Sequence, residues 1–143
     1  MKDKITYKVI TSKELKKYEK GLLELIDREG KRLEEIKKSL KNSNYIIIAI
    51  LNDKIVGSNQ IITDDYFYAT LINLLVLEKY RNIGIGSELI KLTLKTVLDK
   101  GIKNVILVAD PKRPWLVNFY SKYGFENSNE SGTYMWLDKS KVI

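Results

Sequence analysis

The sequence predicts a mixed α/β fold, with elements in the order β-α-α-β-β-β-α-β-α-β(-β) along 143 residues. Three observations carry this prediction. Strand-like apolar runs alternate with stretches whose apolar residues recur at helical spacing. Short polar turns join three consecutive strands in the middle of the chain. The third of these strands ends in a charged turn and two glycines, Gly84 and Gly86, and a helix opens at once. No internal repeat, low-complexity tract or Pro/Gly-rich linker breaks the pattern. A single domain over 1–143 is therefore expected, large enough to bury a core.

Each element has a local reason. Residues 5–10 are strand-like, and Thr11 or Ser12 can cap the helix that follows, with Glu14 in its first turn. Leu15, Tyr18, Leu22, Leu25 and Ile26 mark one face of that helix. Gly30 divides it from a second helix with the face Leu33, Ile36 and Leu40. Tyr45–Leu51 reads as a buried strand, and Asn52-Asp53 as a tight turn into a strand over 55–62. Asp64-Asp65 turns the chain again into a strand over 68–77. The helix after the glycines is expected to bury Leu89, Ile90, Leu94, Val97 and Leu98, and Gly101 ends it. Residues 105–108 are all apolar, as in a strand inside a sheet. Pro114 starts a helix running to about Tyr123, Gly124 is its C′ residue, and 133–137 supply a last strand.

Composition removes whole classes of chemistry. There is no cysteine, so disulfides, thiolate metal sites and a cysteine nucleophile are excluded. There is no histidine, so no imidazole base, Ser-His-Asp triad or HExxH zinc site can exist. Acid–base work falls to Asp, Glu, Tyr, Lys or water, and no metal is expected. The formal charge is +7 with a pI near 9.4. Most Lys and Arg of 13–41 are interleaved with Glu and Asp, which reads as a solvated helix face and not as a nucleic-acid stripe. The surplus positive charge would also steer an anionic cofactor. No stretch approaches ~20 apolar residues, and residues 1–5 lack a secretory h-region, so no membrane partner is expected and the setting is read as cytoplasmic.

The stretch 74–90 carries the functional signal. The first N–H groups of a helix lack intrahelical partners, and the macrodipole adds partial positive charge there. Glycines at 84 and 86 let a phosphate press on the backbone, and Arg81 stands one turn upstream. A Walker loop fails here, because Ser87-Glu88 follows the last glycine where Lys-Ser/Thr is needed. A dinucleotide fingerprint is weak, because its third small position is Leu89 and three strands precede it. A ligand-free strand-to-helix turn would leave two helix-start glycines costing stability without a packing return.

Val76, Arg81, Gly84 and Gly86 occupy the places of a Val-x-Pro-x-x-Arg/Gln-x-x-Gly-x-Gly/Ala loop, with Glu78 where proline is usual. This resembles the acetyl-coenzyme A loop of the GCN5-related N-acetyltransferase (GNAT) family, and the order of elements is similar over nearly the whole chain. The resemblance implies the acyl-CoA N-acyltransferase fold with splayed central strands. The pantetheine arm would lie in the opening, paired with main-chain groups of Leu75, Val76 and Leu77. Arg81, Asn82, Ile83, Gly84, Ile85, Gly86 and Ser87 would hold the pyrophosphate. Asn118-Phe119-Tyr120-Ser121-Lys122-Tyr123-Gly124-Phe125 looks like the family's Phe-Tyr-x-x-x-Gly-Phe element, which makes Tyr120 the acid for the leaving thiolate. Packing in the helix's apolar stripe is the other reading of Tyr120, and Tyr123 is expected to pack. Arg113 replaces the family's usual asparagine and cannot accept a hydrogen bond.

A base is not legible. The strand 68–77 holds no acid, and the glutamate of the ribosomal N-terminal subgroup, which Ala69-Thr70-Leu71, Asn73 and Val76 resemble, is missing near 68. Asn73 is assigned to hold a water that carries the proton away, while Asp64, Asp65 and Glu78 are read as solvated. Without a thiol to carry the acetyl group, the expected route is direct attack by a bound amine in a ternary complex, the oxyanion resting on a backbone N–H such as that of Val76. The expected partner is a small-molecule or peptide amine, with a charged tRNA kept as one acceptor class and a homodimer allowed. A non-catalytic acyl-CoA sensor or docking module is the alternative.

Overall fold

A computed structural model describes residues 4–127, 135 and 137–142, and its centre is a five-stranded sheet in the order β1-β2-β3-β4-β5. The strands are β1 (Thr6–Ile10), β2 (Tyr45–Leu51), β3 (Lys54–Thr63), β4 (Tyr68–Val76) and β5 (Asn104–Leu107). Neighbours pair antiparallel except β4 and β5, which run parallel. That parallel pair needs a crossover, and α3 (Ile85–Leu98) provides it. The helices α1 (Leu15–Ile26) and α2 (Leu33–Asn42) lie between β1 and β2 in sequence. The residues divide into two compact units, Met1–Val108 and Ala109–Ile143, and the sheet belongs to the first.

Side-chain alternation shows how the first unit is layered. The adjacent residues Asn59 and Gln60 of β3 reach opposite sides, to Thr93 of α3 and to Ser43 beyond the end of α2. Helices therefore cover both faces, and for that reason Ile46, Ile47, Ile48 and Ala49 are buried in succession. Ile10, Leu15, Tyr18, Leu22, Leu25, Leu40, Ile46 and Ile48 form the core on the α1/α2 side. Gly21 lets α1 come down on β3, since a Cβ there would stand 2.7 Å from Ile55 Cγ1.

The turns follow their residues. Asn52 and Asp53 both adopt positive φ, 50° and 61°, as a two-residue hairpin turn requires. Asp64 Oδ1 accepts the N–H groups of Tyr66, Phe67 and Tyr68, which organises the β3–β4 loop. A single 3-10 turn, Ser12–Glu14, precedes α1, so neither Thr11 nor Ser12 caps it directly; the Thr11 hydroxyl stands 3.5 Å from Glu14 Oε1. Leu98 is 56% exposed in the last turn of α3, and the polar Thr93, one turn before Val97, is fully buried. Thr93 is tolerated there because its hydroxyl donates to Leu89 O and accepts from Asn59. Ile106 is 59% exposed, so the all-apolar run of β5 does not mean two covered faces.

The second unit contains α4 (Trp115–Ser121), begun after Pro114 and followed by Gly124 at φ 96°. The strand expected over 133–137 lies outside the described residues, Met135 and Leu137 excepted. Among the described residues no helix is long and apolar enough to cross a membrane, and no group of three His, Cys, Asp or Glu side chains could hold a metal ion.

Candidate functional site

The site begins where β5 leaves β4. Their pairing ends at Leu71↔Leu107, while β4 continues to Val76. On its other side β4 carries a bulge: Ile72 pairs with Gln60 and Leu75 with Ser58, so Asn73 and Leu74 together oppose Asn59. Asn73 takes φ 53°, a left-handed conformation that Asn tolerates better than any branched residue. Beyond the bulge the Leu77 N–H donates to Val56 O at 2.9 Å. With period-two alternation, Leu75 and Leu77 then address β3, and the N–H and C=O of Val76 face the edge that β5 has left. Of the three residues expected to present main-chain groups together, Leu77 has its N–H committed to β3, and Val76 is the one aimed outward.

The next segment could cradle an anion. Glu78–Tyr80 forms one 3-10 turn, closed by Arg81 N–H on Glu78 O at 3.2 Å. The Arg81 side chain folds back, and its Nε donates to Val76 O at 3.0 Å, which ties the loop to the strand end and leaves other guanidinium N–H groups. Asn82 at φ 65° and Gly84 at φ 92° turn the exposed loop into α3. The first helical bond runs from Glu88 N–H to Gly84 O, and no side chain caps the helix. The N–H groups of Ile85, Gly86 and Ser87 are therefore left over at its start. A Cβ on Gly84 would meet nothing within 4 Å, so glycine stands there for its dihedral. An uncapped helix start, three N–H groups and a neighbouring guanidinium fit a pyrophosphate. Ile83 is exposed at 63%, while Ile85 is buried and anchors the first turn.

Gly57 sets how closely that helix lies on the sheet. A Cβ there would stand 2.9 Å from Leu89 Cδ1 and 3.2 Å from both Ile85 Cγ2 and Leu75 O. Gly57 belongs to no motif of the sequence, although a glycine inside a strand run is itself a signal of close approach. The polar run Ser58-Asn59-Gln60, also outside every motif, is fully buried.

The candidate proton carriers are distributed as follows. Asn73 Nδ2 donates to Gln60 Oε1 at 2.6 Å. Asp64 is held ionised by the backbone N–H groups of Phe67, Tyr66 and Tyr68, which lower its pKa below 3.8 and make it a poor base. Asp65 accepts from the Tyr45 hydroxyl at 2.7 Å and lies 3.8 Å from Lys100 Nζ. In the second unit, Tyr120 is buried among aromatic rings, with Phe119 at 5.3 Å and Phe125 at 5.8 Å. Burial raises its pKa above 10.0 and Arg113 lowers it in part, so its hydroxyl stays protonated at neutral pH. Tyr123 packs on Phe119 at 5.4 Å.

Known proteins are similar to this chain in sequence or in fold. An uncharacterized N-acetyltransferase of Pyropia yezoensis is 32% identical over 133 residues, 86% of this chain and 74% of that protein. A GNAT-family acetyltransferase of Streptococcus pneumoniae TIGR4 is 26% identical and superposes with a TM-score of 0.74 over 95% of this chain and 99% of its own. An aminoglycoside N-acetyltransferase solved in complex with CoA shares the fold, with a TM-score of 0.71 at 13% identity over 96% of each chain. The model of the acetyltransferase (GNAT) family matches residues 11–125, and this chain belongs to that family.

Proposed function

We propose that the protein is an N-acetyltransferase that moves an acetyl group from acetyl-CoA to a primary amine by direct attack in a ternary complex. The observation that supports this best is the bare edge of β4 beyond Leu71, with the Val76 N–H facing it and an uncapped, glycine-opened helix nine residues on. The main chain of Val76 would pair with the pantetheine arm, and Arg81 with residues 82–87 would hold the pyrophosphate. The amine nitrogen attacks the thioester carbonyl, and the oxyanion rests on the Val76 N–H. The carbon–sulfur bond breaks, the thiolate takes the Tyr120 proton, and the ammonium proton leaves through water near Asn73. The products are the acetamide and free coenzyme A. The absence of cysteine supports direct attack, since no thiol can carry the acetyl group.

The test is a screen of acetyl-CoA against polyamines, amino acids, aminoglycosides, peptide N-termini and charged tRNA, read by thiol release. The protein contributes no thiol background. Amine-dependent release is the expected result. Coenzyme A binding without release across the panel would overturn catalysis and leave a non-catalytic acyl-CoA module. A charged-tRNA acceptor would show a steep fall of kcat/KM with salt, because phosphate contacts release counterions.

A further inference from the structure

Ser58, Asn59 and Gln60 are fully buried in β3, where a polar side chain must find partners or cost stability. Gln60 finds them on both sides. Its Nε2 donates to Ser43 Oγ at 2.9 Å and reaches Ser39 Oγ at 3.4 Å, and its Oε1 accepts from Asn73 Nδ2 at 2.6 Å. The two ends of an amide are isosteric, so hydrogen-bond polarity decides which way each one faces. Here the polarity starts at α2. The Ser43 hydroxyl spends its one proton on Ser39 O, 2.8 Å away, so toward Gln60 it can only accept. Gln60 must then turn its NH₂ to Ser43 and its carbonyl to β4. Asn73 must turn its NH₂ to Gln60, and Oδ1 is the half of that amide left over.

The place matters as much as the polarity. Asn73 is at the β4 bulge, two residues beyond the last β4–β5 pair and three before Val76. A bulge re-aims the side chain of its extra residue. No histidine exists in the chain and no carboxylate lies between Tyr68 and Val76, so a side-chain acceptor on this strand has to be an amide or a hydroxyl oxygen.

We infer that Ser39, Ser43 and Gln60 are positioning residues that hold Asn73 Oδ1 as the hydrogen-bond acceptor for the attacking amine, directly or through one water. The inference rests on the N-acetyltransferase reading above. It makes α2 an indirect part of the acceptor site: the end of this helix sets the direction of an amide two strands away.

The double variant Ser39→Ala/Ser43→Ala removes the serine acceptors and lets both amides reverse. With an amine identified by thiol release, kcat/KM for that amine should fall about tenfold or more, while KM for acetyl-CoA and calorimetric affinity for coenzyme A stay within about twofold. Ser43→Thr keeps the hydroxyl and should restore the rate. Asn73→Asp cannot donate to Gln60, so the chain of bonds reverses. It still offers an oxygen, so activity should persist, with a new break in the pH–rate profile at the carboxylate's pKa. Full kcat/KM for the amine in a folded double variant, or an equal loss of coenzyme A affinity, would overturn the positioning role. Should the wild-type chain acetylate no amine, the acetyltransferase reading fails. The polarity is then decided by ¹⁵N NMR: Asn73 side-chain amide signals that shift in the double variant support the relay, and unchanged signals overturn it.

Discussion

Gly57→Ala tests whether the close approach of α3 to the sheet sets the cofactor cradle. The new Cβ would stand 2.9 Å from Leu89 Cδ1 and 3.2 Å from Ile85 Cγ2, against about 3.5–4.0 Å for relaxed carbon contacts. Leu89 is fully buried and has little room to rotate, and Leu75 O at 3.2 Å belongs to the backbone of β4. The yielding element is therefore the start of α3, of which Ile85 is the first residue. Overpacking of this kind costs about 1–3 kcal/mol, offset by about 0.5–1 kcal/mol from the stiffer unfolded chain. A net loss of about 1–2 kcal/mol lowers Tm by roughly 3–8 °C in a chain of this size. Lifting the helix start also moves the N–H groups of Ile85, Gly86 and Ser87, so coenzyme A should bind about fivefold more weakly, or about 1 kcal/mol. The assays are thermal melting and isothermal calorimetry with coenzyme A. Gly30→Ala is the control: its φ of 67° imposes strain, but a Cβ there meets nothing within 4 Å, and it lies between α1 and α2. If Gly57→Ala weakens coenzyme A no more than Gly30→Ala does, the link from packing to cradle is wrong.

Three further outcomes are expected. Gly86→Glu places a side chain and a negative charge at the uncapped start of α3 and should cost coenzyme A several kcal/mol of affinity; unchanged calorimetric binding in the folded variant would remove residues 81–87 from the site. Tyr120→Phe should lower kcat by about 10²–10⁴ with coenzyme A binding intact. Because burial raises the Tyr120 pKa, the wild-type rate should show no break from this group between about pH 6 and 8, and should climb toward the amine's own pKa near ~10. Asp64 has a pKa depressed by three backbone N–H groups, so its contribution to stability is present above the unfolded value and lost as pH falls through the lower folded one. Asp64→Asn should therefore flatten the acid limb of a Tm-versus-pH curve below about pH 4, and should cost kcat under about tenfold.

Much of the architecture was legible because the relevant forces are local. The helical face Leu15, Tyr18, Leu22 and Leu25 is buried as its spacing implies, and β2 begins and ends where its apolar run does. Asn52-Asp53 makes its turn, and Gly84, Gly101 and Gly124 all take positive φ at helix boundaries. Errors came where a neighbour outweighed the local pattern. Thr93 is buried on α3 beside Leu89 and Val97 because Asn59, on another element, donates to its hydroxyl, whereas the apolar Leu98 is exposed in the last turn. Ile106 is exposed although its run is wholly apolar, because run composition does not report what covers a strand's faces.

The candidate site divides along the same line. Arg81, Gly84 and Gly86 could be read from the chain, since a glycine-opened helix start is written in consecutive residues, and Tyr120 was assigned by resemblance. Which main-chain groups of β4 face the bare edge could not be read, because a bulge at Asn73 shifts the alternation by one residue and only pairing with β3 reveals it. Gln60 was equally hidden: its partners Ser43 and Asn73 stand 17 and 13 residues away, on opposite sides of it in sequence. Sequence determined the elements and the glycine-opened helix start, because backbone propensity and helix-start chemistry act over a few residues. Tertiary structure alone decided the polarity of the Asn73 amide and the outward N–H of Val76, because hydrogen-bond direction is set by partners that folding brings together.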